Sequence, residues 1–308
     1  MSEIFNWLKR AELEKGNFKL EPSISPAFVI PTDSNGGTAA PIPNEPPDRD
    51  YESEPMASNP FPSQVEMHST AALNLDSADY RVRDVWDPVT NVGEQFRLLR
   101  ARLALMQKQR SIKTLLVTSA APGEGKTFVS CGLSGVLAQE PGKRVLLIDG
   151  DLRKPMAAQD LGLNTNTDRQ GFSDVLNGKV EVTDVLLSSA DSRFFFLPAG
   201  KRTANPAELL SSSLLPRALK LLSERFNWIV IDSPPAIALA DTNVIAQVCD
   251  AVLLVVHSNR TSSKLIKDCI QRIGREKICG VVMNRSKHLK NSRYYSYYQP
   301  SIGKENEQ

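Results

Sequence analysis

One segment constrains this chain more than any other. Residues 114–130, TLLVTSAAPGEGKTFVS, place a glycine-containing loop directly between an apolar run and a helical one. Residues 120–127, AAPGEGKT, fit A-x-x-x-x-G-K-T, the Walker A pattern with Ala120 in the first position usually given to Gly. The chemistry needs this layout. Gly123 and Gly125 let backbone N–H groups turn inward around a phosphate chain, and the positive end of the next helix faces the same anions. Lys126 reaches the β- and γ-phosphates, and the Thr127 hydroxyl takes a Mg²⁺ position. Ala121, Pro122, Gly123, Glu124, Gly125, Lys126, Thr127 and Phe128 are therefore the candidate contacts to a nucleoside triphosphate.

The text around that loop predicts an α/β fold. Apolar runs at 114–119, 144–149, 194–199, 228–232, 251–257 and 278–284 alternate with helical patterns such as 216–226 and 262–274. Short strands apolar on both faces and separated by helices imply a three-layer P-loop NTPase domain with a mostly parallel sheet and right-handed crossovers. A further helix is expected over 92–109, with Phe96, Leu99, Leu103 and Leu105 near one face.

Composition divides the chain. Residues 1–83 hold 7 basic and 13 acidic side chains, whereas residues 84–308 hold 30 and 22. Ten of the 20 prolines fall between Pro22 and Pro62, so an acidic, Pro-rich leader, expected to be disordered, precedes a mildly basic body. A short helix over 2–15 is the one element expected in the leader. The body is assigned to 84–285 and a flexible basic tail to 286–308. The near balance of 37 Lys+Arg against 35 Asp+Glu excludes a globally basic nucleic-acid coat, and no specific nucleic acid is expected. The longest apolar run, Ala251–Val256, is far short of the roughly 20 residues that cross a bilayer. The N-terminus lacks a signal-peptide layout, so a cytoplasmic location is expected. Cys131, Cys249, Cys269 and Cys279 form no C-x-x-C pair and read as reduced, packed thiols. His68, His257 and His288 show no ligand spacing, and His257 reads as a strand-end residue.

Acidic residues end two strands, where this fold gathers its ligands. WIVID closes on Asp232, a Walker B candidate for Mg²⁺, and RVLLIDGD carries Asp149 and Asp151. Thr127, Asp232 and Asp149 are the expected metal residues. With Lys126, Asp149 and Asp151 are the candidate catalytic residues. Either carboxylate is a candidate base toward a hydroxyl nucleophile, and the sequence leaves both open.

LLIDGDLRKP, an apolar strand followed by D-x-D-x-R at Asp149, Asp151 and Arg153, resembles the Walker A′ motif of the bacterial tyrosine kinases of capsule and exopolysaccharide export. SAAPGEGKT looks like their Walker A, WIVIDSPP like their Walker B and GVVMNR like their final strand, so the resemblance covers about 84–298. It implies an ATP:protein-tyrosine phosphotransferase. Tyr294, Tyr295, Tyr297 and Tyr298, four of six tyrosines, match the family's C-terminal autophosphorylation cluster. Glu94, Arg97 and Arg100 match the E-x-x-R-x-x-R that joins subunits into a ring, a helix-face pattern that by itself reads as i,i+3 ion pairs. Asn284 takes the place of the family's adenine contact, with Arg285 beside it.

The same resemblance implies a split form. Its expected partners are copies of itself, a separate transmembrane co-polymerase activator and a tyrosine phosphatase, with recruitment to the inner membrane face. The rival reading is a nucleotide-switch ATPase of the kind that partitions plasmids or places the division site. Those relatives carry a lysine five residues before the Walker lysine, where this chain has Ala121. The unmodified stretch from Arg285 to Arg293 carries +4 and is expected to fold onto an acidic active-site rim.

Overall fold

A computed structural model describes residues 71–163 and 169–286. The leader up to residue 70, including the helix expected over 2–15, and the tail from residue 287, with its four tyrosines, lie outside the described residues.

The strands in chain order are β1 (Ala71–Ala72), β2 (Thr114–Ser119), β3 (Val145–Asp149), β4 (Leu187–Ser188), β5 (Phe194–Leu197), β6 (Trp228–Asp232), β7 (Ala251–His257) and β8 (Ile278–Asn284). They form one sheet in the order β1-β4-β5-β3-β6-β2-β7-β8. Among the described residues only the β4–β5 pairing is antiparallel; the other six are parallel. Because side chains alternate along a strand, each run feeds two cores. Leu116, Leu146, Ile148, Ile229, Ile231, Val252 and Leu254 point into one. Leu115, Val117, Val145, Leu147, Val230, Leu253 and Val255 point into the other. Each such aliphatic side chain, fully buried, contributes roughly 1.5–3 kcal/mol of transfer free energy. β5 stops at Leu197, two residues before the expected end, since Pro198 has no N–H to continue the ladder.

The helices are α1 (Tyr80–Trp86), α2 (Asn91–Arg110), α3 (Lys126–Ala138), α4 (Ala157–Asp160), α5 (Phe172–Leu176), α6 (Val182–Val185), α7 (Pro206–Leu210), α8 (Leu214–Arg225), α9 (Asp241–Val248) and α10 (Ser263–Ile273). α2 starts where the Thr90 hydroxyl accepts the Gly93 N–H at 3.0 Å, and it ends at Ser111 in the left-handed region. It buries Phe96, Leu99, Leu103 and Met106. Leu105 does not share that face: it is 62% exposed. Nine residues from Phe96 at about 100° each leave it on the opposite side, and Met106 takes the core position.

The body begins earlier than the expected boundary at residue 84. Ala71 and Ala72 pair with Leu187 and Ser188, and Leu73, Ala78, Val82 and Val85 are buried. Asp79 caps α1 by accepting the Arg81 N–H at 2.9 Å. α1 lies on α3 over two glycines: a Cβ at Gly132 would press on Val85 and Phe96, and one at Gly135 would collide with the Trp86 indole. A two-residue strand and a seven-residue helix are too short to show periodicity, which is why this segment reads as leader in the sequence. Among the described residues no helix is long and apolar enough to cross a membrane, and all four cysteines are free and buried.

Candidate active site

The carboxyl ends of β2, β3 and β6 meet at the centre of the sheet, and the candidate residues gather there. Between β2 and α3, Gly123 and Gly125 adopt φ of 79° and 91°, conformations glycine reaches without steric penalty. Gly125 caps α3, so the free N–H groups of the first turn open onto the loop. A Cβ at Gly125 would also collide with the side-chain amide of Asn284. That amide donates to the Glu124 carbonyl at 2.8 Å, which seats the end of β8 against the loop. Arg285, at φ 56°, follows directly and donates its N–H to Asn284 Oδ1.

Lys126 lies 3.4 Å from Asp151, with both side chains largely buried. Burial is the largest influence on the ammonium and opposes its charge, but Asp232, Asp151 and Asp149 together outweigh it and leave its pKa raised. Asp149 and Asp232 are register partners on adjacent strands. Both are inaccessible to solvent. Burial first, then the neighbouring charge of Asp232, pushes Asp149 well above the usual carboxylate range. Burial likewise raises Asp232 to about 6, against the pull of Lys126, of the nearby Thr127 hydroxyl and of the hydrogen bond from Ser130. The Ala157 and Asp151 N–H groups donate to Asp149 at 3.1 and 3.3 Å, and Ser130 Oγ donates to Asp232 at 3.2 Å. Asp232 Oδ2 is buried without a hydrogen-bond partner among the described residues.

Three buried carboxylates around one ammonium leave negative charge uncompensated, and one oxygen is orphaned. That is the surrounding a hard cation fits. Among the described residues no three His, Cys, Asp or Glu side chains form a ready-made cage. Mg²⁺ typically takes only one or two carboxylates, completing its shell with water and substrate phosphates, so Thr127, Asp232 and Asp149 suit it.

The structure separates the remaining candidates from this cluster. Arg97 pairs with Glu94 at 2.8 Å and also donates to the Pro88 carbonyl at 2.7 Å. Arg100 donates to the Val136 carbonyl at 2.9 Å. All three stand on α2 and not at the strand ends. The strand-end acids do not form the expected acidic rim: Asp149, Asp151 and Asp232 are buried, while Arg153, Lys154, Lys201 and Arg202 are exposed on the loops after β3 and β5.

Two residues named in the sequence gain partners that only the fold reveals. Arg153 forms a two-pronged pair with Asp241 of α9, at 2.7 and 3.1 Å, tying the loop after β3 to the helix after β6. Asp241 is buried, and nothing in its local sequence separates it from an ordinary first-turn acid. The other is Glu124, whose side chain turns away from the phosphate side of its loop. An acid inside an anion-binding loop was the available signal.

Comparison with known proteins agrees with this geometry. Residues 112–278 match the family model described as an AAA domain. The chain is 32% identical over 214 residues to the tyrosine-protein kinase YwqD of Bacillus subtilis, spanning 69% of this chain and 88% of that one. It is 31% identical over 214 residues to the putative tyrosine-protein kinase CapB of Staphylococcus aureus, spanning 68% and 92%. The kinase domain of the Escherichia coli tyrosine kinase ETK superposes with a TM-score of 0.60 at 27% identity, covering 72% of this chain and 86% of that domain. Similarity at this identity and coverage, over a phosphate loop and acidic strand ends that already stand together, means that the chain belongs to the bacterial tyrosine-protein kinase family.

Proposed function

We propose that this chain is an ATP- and Mg²⁺-dependent protein tyrosine autokinase. It transfers the γ-phosphoryl group to Tyr294, Tyr295, Tyr297 and Tyr298 on the tail of a neighbouring copy, and so regulates capsule or exopolysaccharide polymerisation and export. The observation that carries the reading is the buried Lys126–Asp151 contact beside Asp149 and Asp232, in a family of tyrosine kinases.

Phosphoryl transfer asks mainly for positioning and charge neutralisation. Loop N–H groups from Gly123 to Thr127 hold the phosphate oxygens. Lys126 exchanges Asp151 for the β- and γ-phosphates, which frees the Asp151 carboxylate. Mg²⁺, when bound through Thr127, Asp232 and Asp149, supplies positive charge to the phosphate oxygens. Asp151 then accepts the phenol proton as the phenol oxygen bonds to the γ-phosphorus, the bond to the bridging oxygen breaks and ADP leaves. Asp149 is the weaker base candidate, since backbone N–H groups already occupy both its oxygens. Asn284, held 2.8 Å from the Glu124 carbonyl, borders the space for the adenine, with Arg285 beside it.

Glu94, Arg97 and Arg100 are the proposed ring contacts. Arg97 and Arg100 would have to exchange part of their present intrachain hydrogen bonds for partners on a neighbour. A separate transmembrane activator recruits the protein to the inner membrane face, and a tyrosine phosphatase resets the tail.

Purified protein incubated with labelled ATP and Mg²⁺, with and without an activator fragment, should gain phosphotyrosine. The signal should vanish in Lys126→Met and fall sharply when the four tail tyrosines become Phe. No phosphotyrosine under any of these conditions would leave a nucleotide-switch ATPase as the better reading.

A further inference from the structure

Glu124 is an odd residue for its place. A carboxylate in a loop that must accept phosphates should repel them, yet its neighbours Pro122 and Gly123 are exposed while Glu124 is 3% exposed. Its side chain folds away from the phosphate side. Oε2 accepts the Ala121 N–H at 2.9 Å. Oε1 accepts the Thr261 hydroxyl and, more weakly at 3.5 Å, the His257 N–H. Thr261 belongs to the short connection between β7 and α10, 137 residues further along the chain. The carboxylate thus spends its charge on two backbone donors and one hydroxyl, none of them among the loop N–H groups from Gly123 to Thr127.

We propose that Thr261 and Glu124 act as a positioning pair that holds the phosphate loop in its anion-accepting shape. The inference rests on the reading above in taking this loop as the triphosphate site, and it deepens that reading. With the Thr261 hydroxyl removed, Oε1 keeps only the long His257 contact. The carboxylate is then under-compensated and can turn back toward the N–H groups that the phosphates need. Hydrogen bonds to charged groups are among the stronger ones, so the loss should be visible in nucleotide affinity. Chemistry at saturating ATP should change little in the Thr261 variants, because Thr261 stands on the connection after β7, away from Lys126, Asp149 and Asp151.

The test uses the full chain, a fluorescent ADP analogue with Mg²⁺, and Thr261→Val, Thr261→Ser and Glu124→Gln. Thr261→Val keeps the shape and loses the donor; nucleotide affinity should fall about tenfold, with KM for ATP rising in step and kcat within about twofold. Thr261→Ser should restore affinity to near the parent. Glu124→Gln keeps one acceptor for the Ala121 N–H and can only donate to Thr261, whose hydroxyl must turn to accept, so affinity should fall by less than in Thr261→Val. Parent-like affinity in Thr261→Val, or equal weakening in Thr261→Ser, overturns the proposal. The readout separates the two readings: a parent protein that binds nucleotide but makes no phosphotyrosine defeats the kinase reading and leaves the positioning pair standing.

Discussion

Asp232 offers a prediction whose size follows from its surroundings. Its carboxyl is buried, raised to about 6, and has one oxygen without a partner. An ordinary carboxylate titrates near 3.8. The folded, metal-free protein therefore holds this proton more tightly than the unfolded chain does. Stability from that difference is complete below about pH 4 and is lost as pH rises through about 6. Each tenfold in proton affinity is about 1.4 kcal/mol, so the ionised carboxylate costs the fold about 3 kcal/mol at pH 8. Asp232→Asn removes that cost. Lys126 keeps Asp151 as a partner 3.4 Å away, so the ammonium is not orphaned by the change. In chelator and without nucleotide, Asp232→Asn should melt higher than the parent at pH 8, by roughly 6–12 °C for a body of this size. At pH 4.5 the gap should close, because the parent's carboxyl is then protonated. Acids away from this cluster titrate alike in both proteins and cancel in the comparison, whereas Asp149, which the Asp232 charge helps to push up, should titrate lower in the variant and add to the gap at pH 8. Adding Mg²⁺ and ADP should reverse the order, since the parent gains binding free energy that the variant largely forfeits. Thermal melts at the two pH values decide it. A variant no more stable than the parent at pH 8, or equally more stable at both pH values, refutes the electrostatic account.

Other substitutions probe the remaining supports. Gly125→Ala should abolish binding of a fluorescent nucleotide and lower stability by about 1–3 kcal/mol, because it combines φ of 91° with a collision against Asn284. Asp241→Asn should cut kcat at saturating ATP by about tenfold while nucleotide affinity holds, since it loosens Arg153 and the loop bearing Asp151; Asp241→Glu should recover part of the loss. Leu103→Ala, which opens a void beneath α2, should cost about 2–5 kcal/mol in denaturant titration, whereas Leu105→Ala on the exposed face should change stability by less than about 0.5 kcal/mol.

The pattern of agreement follows physical range. Five strands, β2, β3, β6, β7 and β8, appear at or within one residue of their sequence positions, since unbroken apolar runs bounded by polar residues have few other uses in a sheet covered on both faces. Leu105 leaves the buried face because 100° per residue carries it opposite Phe96, and Met106, three residues after Leu103, is the core neighbour instead. The segment 71–83 was misread since its elements are stabilised by contacts with distant chain, such as the Leu73 N–H donating to the Ser188 carbonyl at 2.7 Å. The expected acidic rim failed for a related reason: composition counts charges, but only packing decides which of them face water.

Local order along the chain was enough to establish the phosphate loop, the acidic strand ends and the alternation that makes the sheet, because glycine freedom, helix capping and strand period act over a few neighbouring residues. What the chain order could not contain is which distant groups share a charge. Asp149 meets Asp232 across a strand pair, Arg153 meets Asp241 over 88 positions, and Glu124 meets Thr261 over 137. Those pairings exist only once the sheet brings its carboxyl ends together and excludes water. Exclusion of water is also what raises the Asp232 carboxyl to about 6.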